Sequence, residues 1–231
     1  MAEAIAVQKM FSKIAPRYDL ANSVLSFGIH HYWRRVLAGM LPESGDKLVL
    51  DLCSGTGDLL PLLEKRFGKV IGADFCLPML EKGKKKFSGK NYTLMQADAL
   101  SMPFADNSFD IVCVAFGVRN FEHLELGLKE IYRVLKSGGH LLILEFGQPR
   151  NKIFSTLYKF YSKYIMPTVG GLISGDKAAY RYLPETAGSF PCGERFISIL
   201  SNCGFSNFKS HSLTGGIAFV YSAEKGAVNA N

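Results

Sequence analysis

Asp51, Gly55, Thr56 and Gly57 stand in the stretch of this chain whose residue types and spacing most clearly promise ligand chemistry, Lys47-Leu-Val-Leu-Asp-Leu-Cys-Ser-Gly-Thr-Gly-Asp58. A short β-prone apolar run meets an acid, then a tight Gly-x-Gly turn, then a helix-forming stretch from Leu59 to Phe67. Glycine lets a backbone approach a ligand closely, and a helix starting there presents N–H groups without partners. A dinucleotide site asks for a third glycine, where this chain has Leu60. The pattern therefore suits a ligand without a pyrophosphate, and S-adenosylmethionine is the expected cofactor.

Two further acids extend this site. Lys69-Val-Ile-Gly-Ala-Asp74 predicts a second strand whose terminal Asp74 accepts from ribose hydroxyls. An aspartate there can equally cap the next helix, Cys76 to Phe87. A third strand, Tyr92-Thr-Leu-Met-Gln, leads to the pair Asp98-Ala99, an acceptor for an adenine amino group with Leu100, Met102 and Phe104 close behind. Sites at the carboxyl ends of consecutive strands are the arrangement of a topological switch point.

The elements needed to hold these residues follow from hydrophobic periodicity. It predicts strands near 47–52, 69–74, 92–96, 109–115 and 139–146, with helices at 57–66, 76–87 and 122–136 between them. Lys136-Ser-Gly-Gly139 is the expected helix stop before the fifth strand. Residues 205–210 and 216–222 look like two more strands closing the sheet as a hairpin. This is an α/β alternation around a mainly parallel sheet. We expect one domain over 1–231, with a helical cover at 1–40, a cofactor core at 41–146, lid and substrate helices at 147–204, a closing hairpin at 205–225 and a frayed tail at 226–231.

Composition narrows the function classes. No apolar run reaches the length of a membrane span, and Met1-Ala-Glu-Ala-Ile5 carries an acid where an export signal has basic residues. Five cysteines, none in a Cys-x-x-Cys pair, suggest a reduced cytoplasmic setting with no disulfide framework and no metal site. A net charge of +7 favours an anionic partner. The densest basic run, Lys82-Gly-Lys-Lys-Lys86, falls near a predicted helix end and is expected to point into solvent.

Two segments outside the alternation are where a substrate would be chosen. The first holds Phe11 to Asp19 and Phe27-Gly-Ile-His30-His-Tyr-Trp-Arg34. In the second, Ile153, Phe154, Leu157, Tyr158, Phe160, Tyr161, Tyr164 and Ile165 form an aromatic face at helical spacing. Such a stripe is ordinarily core; its functional alternative is a greasy lid touching a long apolar ligand and a membrane surface, or a homodimer contact.

The chain resembles the menaquinone/ubiquinone biosynthesis C-methyltransferases, which act on prenylated quinols. The resemblance runs from Phe11 to Lys225 and rests on Ala15-Pro-Arg-Tyr-Asp19, Ser26-Phe-Gly-Ile-His30, the glycine turn, Phe116-Gly-Val-Arg-Asn120, Leu144-Glu-Phe146, Tyr180-Arg-Tyr-Leu183 and Thr214-Gly-Gly216. It implies a class I S-adenosylmethionine-dependent methyltransferase fold: a Rossmann-like seven-stranded sheet, last strands antiparallel, under a helical substrate cover. It places cofactor contacts on Thr56, Asp74, Asp98-Ala99 and position 115. The pair is often Asn-Ala in the family, and position 115 is usually a hydroxyl residue; here Ala115 offers only backbone or packing.

The resemblance also implies the chemistry. The cofactor's methyl group is an electrophile, so the protein must hold a nucleophilic carbon in line, about 3–3.5 Å away, with water excluded. An oxidised quinone ring is electron-poor, so the expected substrate is the quinol, most simply demethylmenaquinol, with the ubiquinone-pathway benzoquinol, or both, as the alternative, at the inner face of the cell membrane. Arg119 is expected to stabilise the developing phenolate and Asn120 to donate to a ring oxygen. A guanidinium keeps its proton, which argues for charge stabilisation over base catalysis. The plain structural alternative for Arg119 is an ion pair with Glu145 or Glu122. Tyr18, His30 and Tyr182 are second-tier candidates, His30 because imidazole suits general-base work.

Three rivals are weaker. A nucleic-acid methyltransferase would show an Asn-Pro-Pro-Tyr-like turn or a nucleophilic cysteine after the fourth strand, where this chain has Ala115-Phe-Gly-Val-Arg119; Pro191-Cys192 lies in the lid region. No separate RNA-binding module is present, so no nucleic-acid partner is expected. Methylation of another lipid or small molecule would keep fold and cofactor. A cofactor-binding scaffold would have no use for the Arg119-Asn120 pair.

Overall fold

The computed structural model describes residues 2–87 and 93–226; Tyr92 and the predicted tail from residue 227 onward lie outside the described residues. Three helices come first, α1 (Ala2–Ile14), α2 (Tyr18–Leu25) and α3 (Ile29–Gly39). The alternation then runs β1 (Leu48–Leu52), α4 (Leu60–Phe67), β2 (Lys69–Asp74), α5 (Leu77–Lys86), β3 (Thr93–Gln96), β4 (Phe109–Ala115), α6 (Leu124–Val134) and β5 (Leu135–Phe146). Four helices follow, α7 (Lys152–Phe160), α8 (Met166–Ser174), α9 (Ala179–Ser189) and α10 (Glu194–Asn202), before the hairpin β6 (Phe205–Leu213) and β7 (Ala218–Lys225). No described helix is long and apolar enough to cross a membrane.

The sheet order is β3-β2-β1-β4-β5-β7-β6, parallel except at β7, which pairs antiparallel with both β5 and β6. β1 and β4 are nearly continuous apolar runs because helices cover both faces of the sheet. Leu50, Leu52, Val112 and Val114 join one core with Ile131 and Phe196. Their neighbours Val49, Ile111 and Cys113 join the other with Trp33, Leu37 and Leu63, so α3 and α4 form the opposite layer. A separate apolar cluster, including Ile14, Leu25, Met166 and Tyr180, ties α1 and α2 to α8 and α9 as a cap over the carboxyl end of the strands.

Several predicted boundaries move by two or three residues, and the largest shift is at β5. The helix expected over 122–136 ends at Val134, and β5 starts at once at Leu135 rather than at 139. Gly138, at φ +73°, serves a register shift opposite Phe109 and Ile111 instead of a helix cap. Strand pairing to β4 takes these residues before a cap can form, a tertiary preference that local periodicity does not carry.

Candidate active site

β1 and β4 lie side by side where the strand order reverses, and their carboxyl ends open the crevice of the sheet. Each strand is followed at once by a non-glycine residue of positive φ, Cys53 at +58° and Phe116 at +62°. Such conformations cost of order 1–3 kcal/mol and persist where surrounding structure enforces them. The enforcement is close packing: a Cβ on Gly117 would stand 2.5 Å from the Cβ of Cys53. The turned backbone sets the Phe116 ring against Phe146, with centroids 4.7 Å apart, and beside Trp33 at 6.0 Å.

Two large cavities meet at this ring. The first, about 400 Å³, runs from Asp98, Ala99 and Leu100 past Asp74 to Cys53 and Ala115. The second, about 320 Å³, is walled by Phe27, His30, Trp33, Phe146, Tyr158 and Tyr161, with Arg119 among its few charged groups. Tyr18 and Phe116 are the residues that line both. A small polar recess, about 20 Å³, adjoins them and is lined by Tyr18, Arg34, Asp51, Ser54, Thr56 and Asp58 among others.

The predicted cofactor residues sort themselves by depth. Asp74 faces the first cavity with each oxygen already taking a backbone N–H, Oδ2 from Gly55 at 2.8 Å and Oδ1 from Cys76 at 2.8 Å. It thus fixes the backbone just before α5, which has no side-chain cap, and braces the glycine turn at once, and burial raises its pKa despite those bonds. Asp98 is exposed in the cavity wall, its Oδ1 accepting from Leu100 N at 2.9 Å, with Ala99 beside it. Gly55 and Gly57 shape the turn at φ +57° and +81° without lining the cavity. Thr56 faces the recess and its hydroxyl donates to Asp19 at 2.6 Å. Asp51 is 1% exposed, and its Oδ2 has no hydrogen-bond partner. Burial pushes its pKa up to about 8, with Arg34 opposing and Asp74 and Asp58 adding to the rise.

The predicted catalytic residues divide between the two cavities. Arg119 lines the second, and Asn120 lines the first, its Oδ1 accepting from the Tyr182 hydroxyl at 3.1 Å. Arg119 also makes the ion pair anticipated with Glu145, Nη1 to Oε1 at 3.0 Å, while its guanidinium carbon stands 5.2 Å from the Phe146 ring centroid and its Nε is left without a partner. The half-buried Tyr18 has its phenol pKa raised by desolvation, with Arg34 and Asn22 opposing. His30 is buried, its Nδ1 2.6 Å from Ser26 Oγ. Burial, then Arg34 and His31, lower its pKa to about 4. It is therefore neutral at ordinary pH and too weak a base for a phenol proton.

Several residues escaped the sequence reading. Asp19 holds the N-terminal cover onto the glycine turn through Thr56, with Lys82 and Lys86 each 3.4 Å from its Oδ2. Lys82 also donates to the carbonyls of Ala15 and Pro16, and Lys86 pairs with Asp58. The basic run predicted to point into solvent thus spends two of its lysines clamping α2 down. Gly83 permits this, since a Cβ there would stand 3.1 Å from the Thr56 carbonyl oxygen. Phe116 and Arg34 lie inside quoted motifs, yet nothing in their types marked them as cavity walls. The aromatic face of α7 is not core: Ile153 is 76% exposed, Leu157 63% and Phe160 58%. Only its inner side, Phe154 and Tyr158, joined by Tyr161, turns to the second cavity.

Comparisons with known proteins bear on the family and the fold. Residues 1–225 match the ubiE/COQ5 methyltransferase family. The chain is 43% identical over 220 residues to a ubiquinone/menaquinone biosynthesis C-methyltransferase of Bdellovibrio bacteriovorus, covering 93% of this chain and 94% of that one. It is 44% identical over 220 residues to a demethylmenaquinone methyltransferase of Thermus thermophilus, covering 94% and 100%. Among solved structures, a SAM-dependent methyltransferase of Thermotoga maritima superposes with a TM-score of 0.69 at 19% identity, over 94% of this chain and 98% of that one, which shows a shared fold. On the extent of the match and the identity to its relatives, the chain belongs to the ubiE/COQ5 methyltransferase family.

Proposed function

We propose that this protein transfers a methyl group from S-adenosylmethionine to a ring carbon of a prenylated quinol, demethylmenaquinol first and the ubiquinone-pathway benzoquinol second. The observation that carries this reading is the pair of cavities sharing only Tyr18 and Phe116. One is edged by acids at strand ends and suits a nucleoside; the other is aromatic and suits a planar ring with an apolar tail. The orphaned Asp51 carboxylate supports a cationic ligand, because a buried acceptor without a partner calls for a donor. Asp98 and Ala99 would hold the adenine and Asp74 the ribose, with Gly55, Thr56 and Gly57 shaping the turn beneath. The cofactor supplies an activated, electrophilic methyl group.

What the chain supplies is position and electrostatics. Tyr18 and Phe116 form the wall across which the reacting carbon must face the donor, and Phe116 and Phe146 offer ring faces for stacking. A quinol oxygen losing its proton gains charge, and the unpartnered Nε–H of Arg119 is a donor already in place for it. Glu145 holds that guanidinium still, so no reorganisation is needed as charge develops. Asn120, fixed by Tyr182, polarises from the nucleoside side.

The substrate's tail accounts for the exposed face of α7. Phe27 and Tyr161 stand at the edge of the second cavity, continuous with the exposed Leu157 and Phe160. Between Glu145 and Asp176 the chain has no acid but carries Arg150, Lys152, Lys159 and Lys163. An apolar face ringed by cations suits peripheral binding to an anionic membrane surface, the inner face of a cell membrane, where a prenyl tail remains in lipid. The test is methyl transfer from labelled S-adenosylmethionine to chemically reduced demethylmenaquinol, to the reduced benzoquinol and to bulk tRNA. Label in the naphthoquinol is the expected result, label in both quinols makes the enzyme serve both pathways, and label in tRNA alone or in nothing sinks the reading. Equal rates with quinone kept oxidised would defeat the proposed chemistry.

A further inference from the structure

The turn that closes the hairpin between β6 and β7 brings Thr214 to the wall of the second cavity. Three residues in a row there hold positive φ, Thr214 at +47°, Gly215 at +65° and Gly216 at +96°. Glycine takes that conformation freely, whereas a β-branched residue in it is strained. Close packing enforces the turn. A Cβ on Gly215 would stand 2.9 Å from the Phe154 ring, and one on Gly216 would stand 3.2 Å from the Gln148 carbonyl oxygen. What threonine adds over glycine at such a place is a hydroxyl, and the structure decides how that hydroxyl is used.

Trp33 Nε1 donates to Thr214 Oγ1 at 2.9 Å, a bond that joins α3 to the hairpin turn. An indole nitrogen can only donate, so the threonine oxygen is the acceptor and its own proton is left over. Among the described residues no acceptor for that proton is in reach. Trp33 is 4% exposed, so its N–H depends on this one bond, whereas Thr214 itself is exposed. The Thr214 proton is thus a donor open to whatever fills the cavity.

Other hydroxyls of the cavity are engaged. Tyr161 donates to Leu25 O at 2.6 Å, Ser26 pairs with His30 at 2.6 Å, and Tyr18 bonds with Asn22. Tyr158 belongs with Arg119, whose charge opposes the burial that raises the phenol pKa to about 12. Arg119 is placed against the Phe146 ring, while Thr214 is reached through Trp33, which meets the same ring edge-on with centroids 6.3 Å apart. A ring stacked on Phe116 and Phe146 therefore has two donors of separate origin.

We propose that Thr214 hydrogen-bonds the second ring oxygen of the quinol, the one para to the oxygen held by Arg119, with Trp33 as the positioning residue that leaves the threonine proton free for the ligand. The assignment rests on the quinol reading above. It adds the residue by which the pocket tells a para-diol ring from a ring with one oxygen, since a site built to bond a substrate oxygen disfavours an analogue that lacks it.

Binding to the whole chain separates this inference from the reading beneath it. Calorimetry uses two probes that differ by one oxygen, 2,3-dimethyl-1,4-naphthoquinol kept reduced with dithionite and 2,3-dimethyl-1-naphthol. Thr214→Val keeps the shape and removes the hydroxyl; it is expected to weaken the quinol by about fivefold to tenfold and the naphthol by less than about twofold. Thr214→Ser should keep the quinol affinity, and retained naphthol binding reports that each variant is folded. Trp33→Phe, which keeps an aromatic wall without the N–H, should lower the ratio of quinol to naphthol affinity, and an unchanged ratio would overturn the positioning role. Equal losses for both probes in Thr214→Val, or no loss for either, would overturn the assignment while leaving the quinol reading intact. Failure of the unaltered protein to bind either probe would overturn both.

Discussion

Arg119 and Glu145 form a pair 3.0 Å apart in which the side chains are 5% and 0% exposed. Glu145 does more than balance the charge. Its Oε2 accepts from the Arg119 backbone N–H at 3.3 Å and its Oε1 from Phe146 N at 2.8 Å, so one carboxylate fixes both the turn after β4 and the guanidinium projecting from it. On the proposed reading the catalytic and structural accounts of Arg119 are not rivals: the ion pair would hold the guanidinium in place for a developing phenolate.

Arg119→Ala will lower stability as well as turnover, because it leaves a buried carboxylate uncompensated, a loss of about 3–5 kcal/mol. The double variant Arg119→Ala with Glu145→Gln removes the stranded charge. Thermal melts should recover much of the loss in the double variant while methyl transfer stays low and S-adenosylhomocysteine affinity is little changed. Turnover returning along with the melting temperature would reduce Arg119 to a partner for Glu145.

Asp51 makes the ligand-free protein less stable as pH rises from about 4 to about 8. Its pKa rises from 3.8 to about 8 on folding, chiefly through burial, so the unfolded chain releases the proton first. The stability tied to that proton is whole below about pH 4 and is lost as pH climbs toward 8, at about 1.4 kcal/mol for each unit between the two values as an upper bound. Asp51→Asn should therefore raise the melting temperature at pH 8 and hardly at all at pH 4.5. A gain that does not vary with pH would show that the carboxylate ionises freely in the fold.

Gly117→Ala should disable the site through a clash with Cys53 in the wall of the first cavity. The added Cβ would lie 2.5 Å from Cys53 Cβ and 2.7 Å from its Sγ, forcing apart the ends of β1 and β4. Overpacking of this kind costs about 1–3 kcal/mol, and here it also displaces Phe116 and Arg119. Because Cys53 sits at φ +58°, a conformation glycine adopts freely, Cys53→Gly in the same chain should restore both stability and turnover. No rescue would mean that the clash is not what Gly117 avoids.

Leu157→Ser with Phe160→Ser should weaken attachment to vesicles containing phosphatidylglycerol by about tenfold, since each large apolar side chain withdrawn from water is worth on the order of 1 kcal/mol or more. Neither residue lines the second cavity, so methyl transfer to a short-tailed quinol should persist. Co-sedimentation checks the first point. Unchanged vesicle binding together with a dimer that dissociates on substitution would assign the face to a second copy of the chain.

The strand–turn–helix at Asp51 to Phe67, the acids at Asp74 and Asp98, and the hairpin after residue 205 were all legible in the sequence, because each is a local pattern of apolar period, glycine and terminal acid. Local pattern also located Arg119 and Asn120 after β4. It did not say that they face different cavities, since that depends on the turned backbone at Phe116 and on partners at Glu145 and Tyr182. Nor could spacing show that Lys82 and Lys86 clamp Asp19, or that α7 leaves Ile153, Leu157 and Phe160 exposed while Phe154 and Tyr158 turn to the second cavity. An amphipathic period reports that a face is apolar but not what covers it, and a charge declares its sign but not its partner. Those facts arise when segments distant in the chain are folded together, and here they decide the cover's latch, the wall between the cavities and the recess at Arg34.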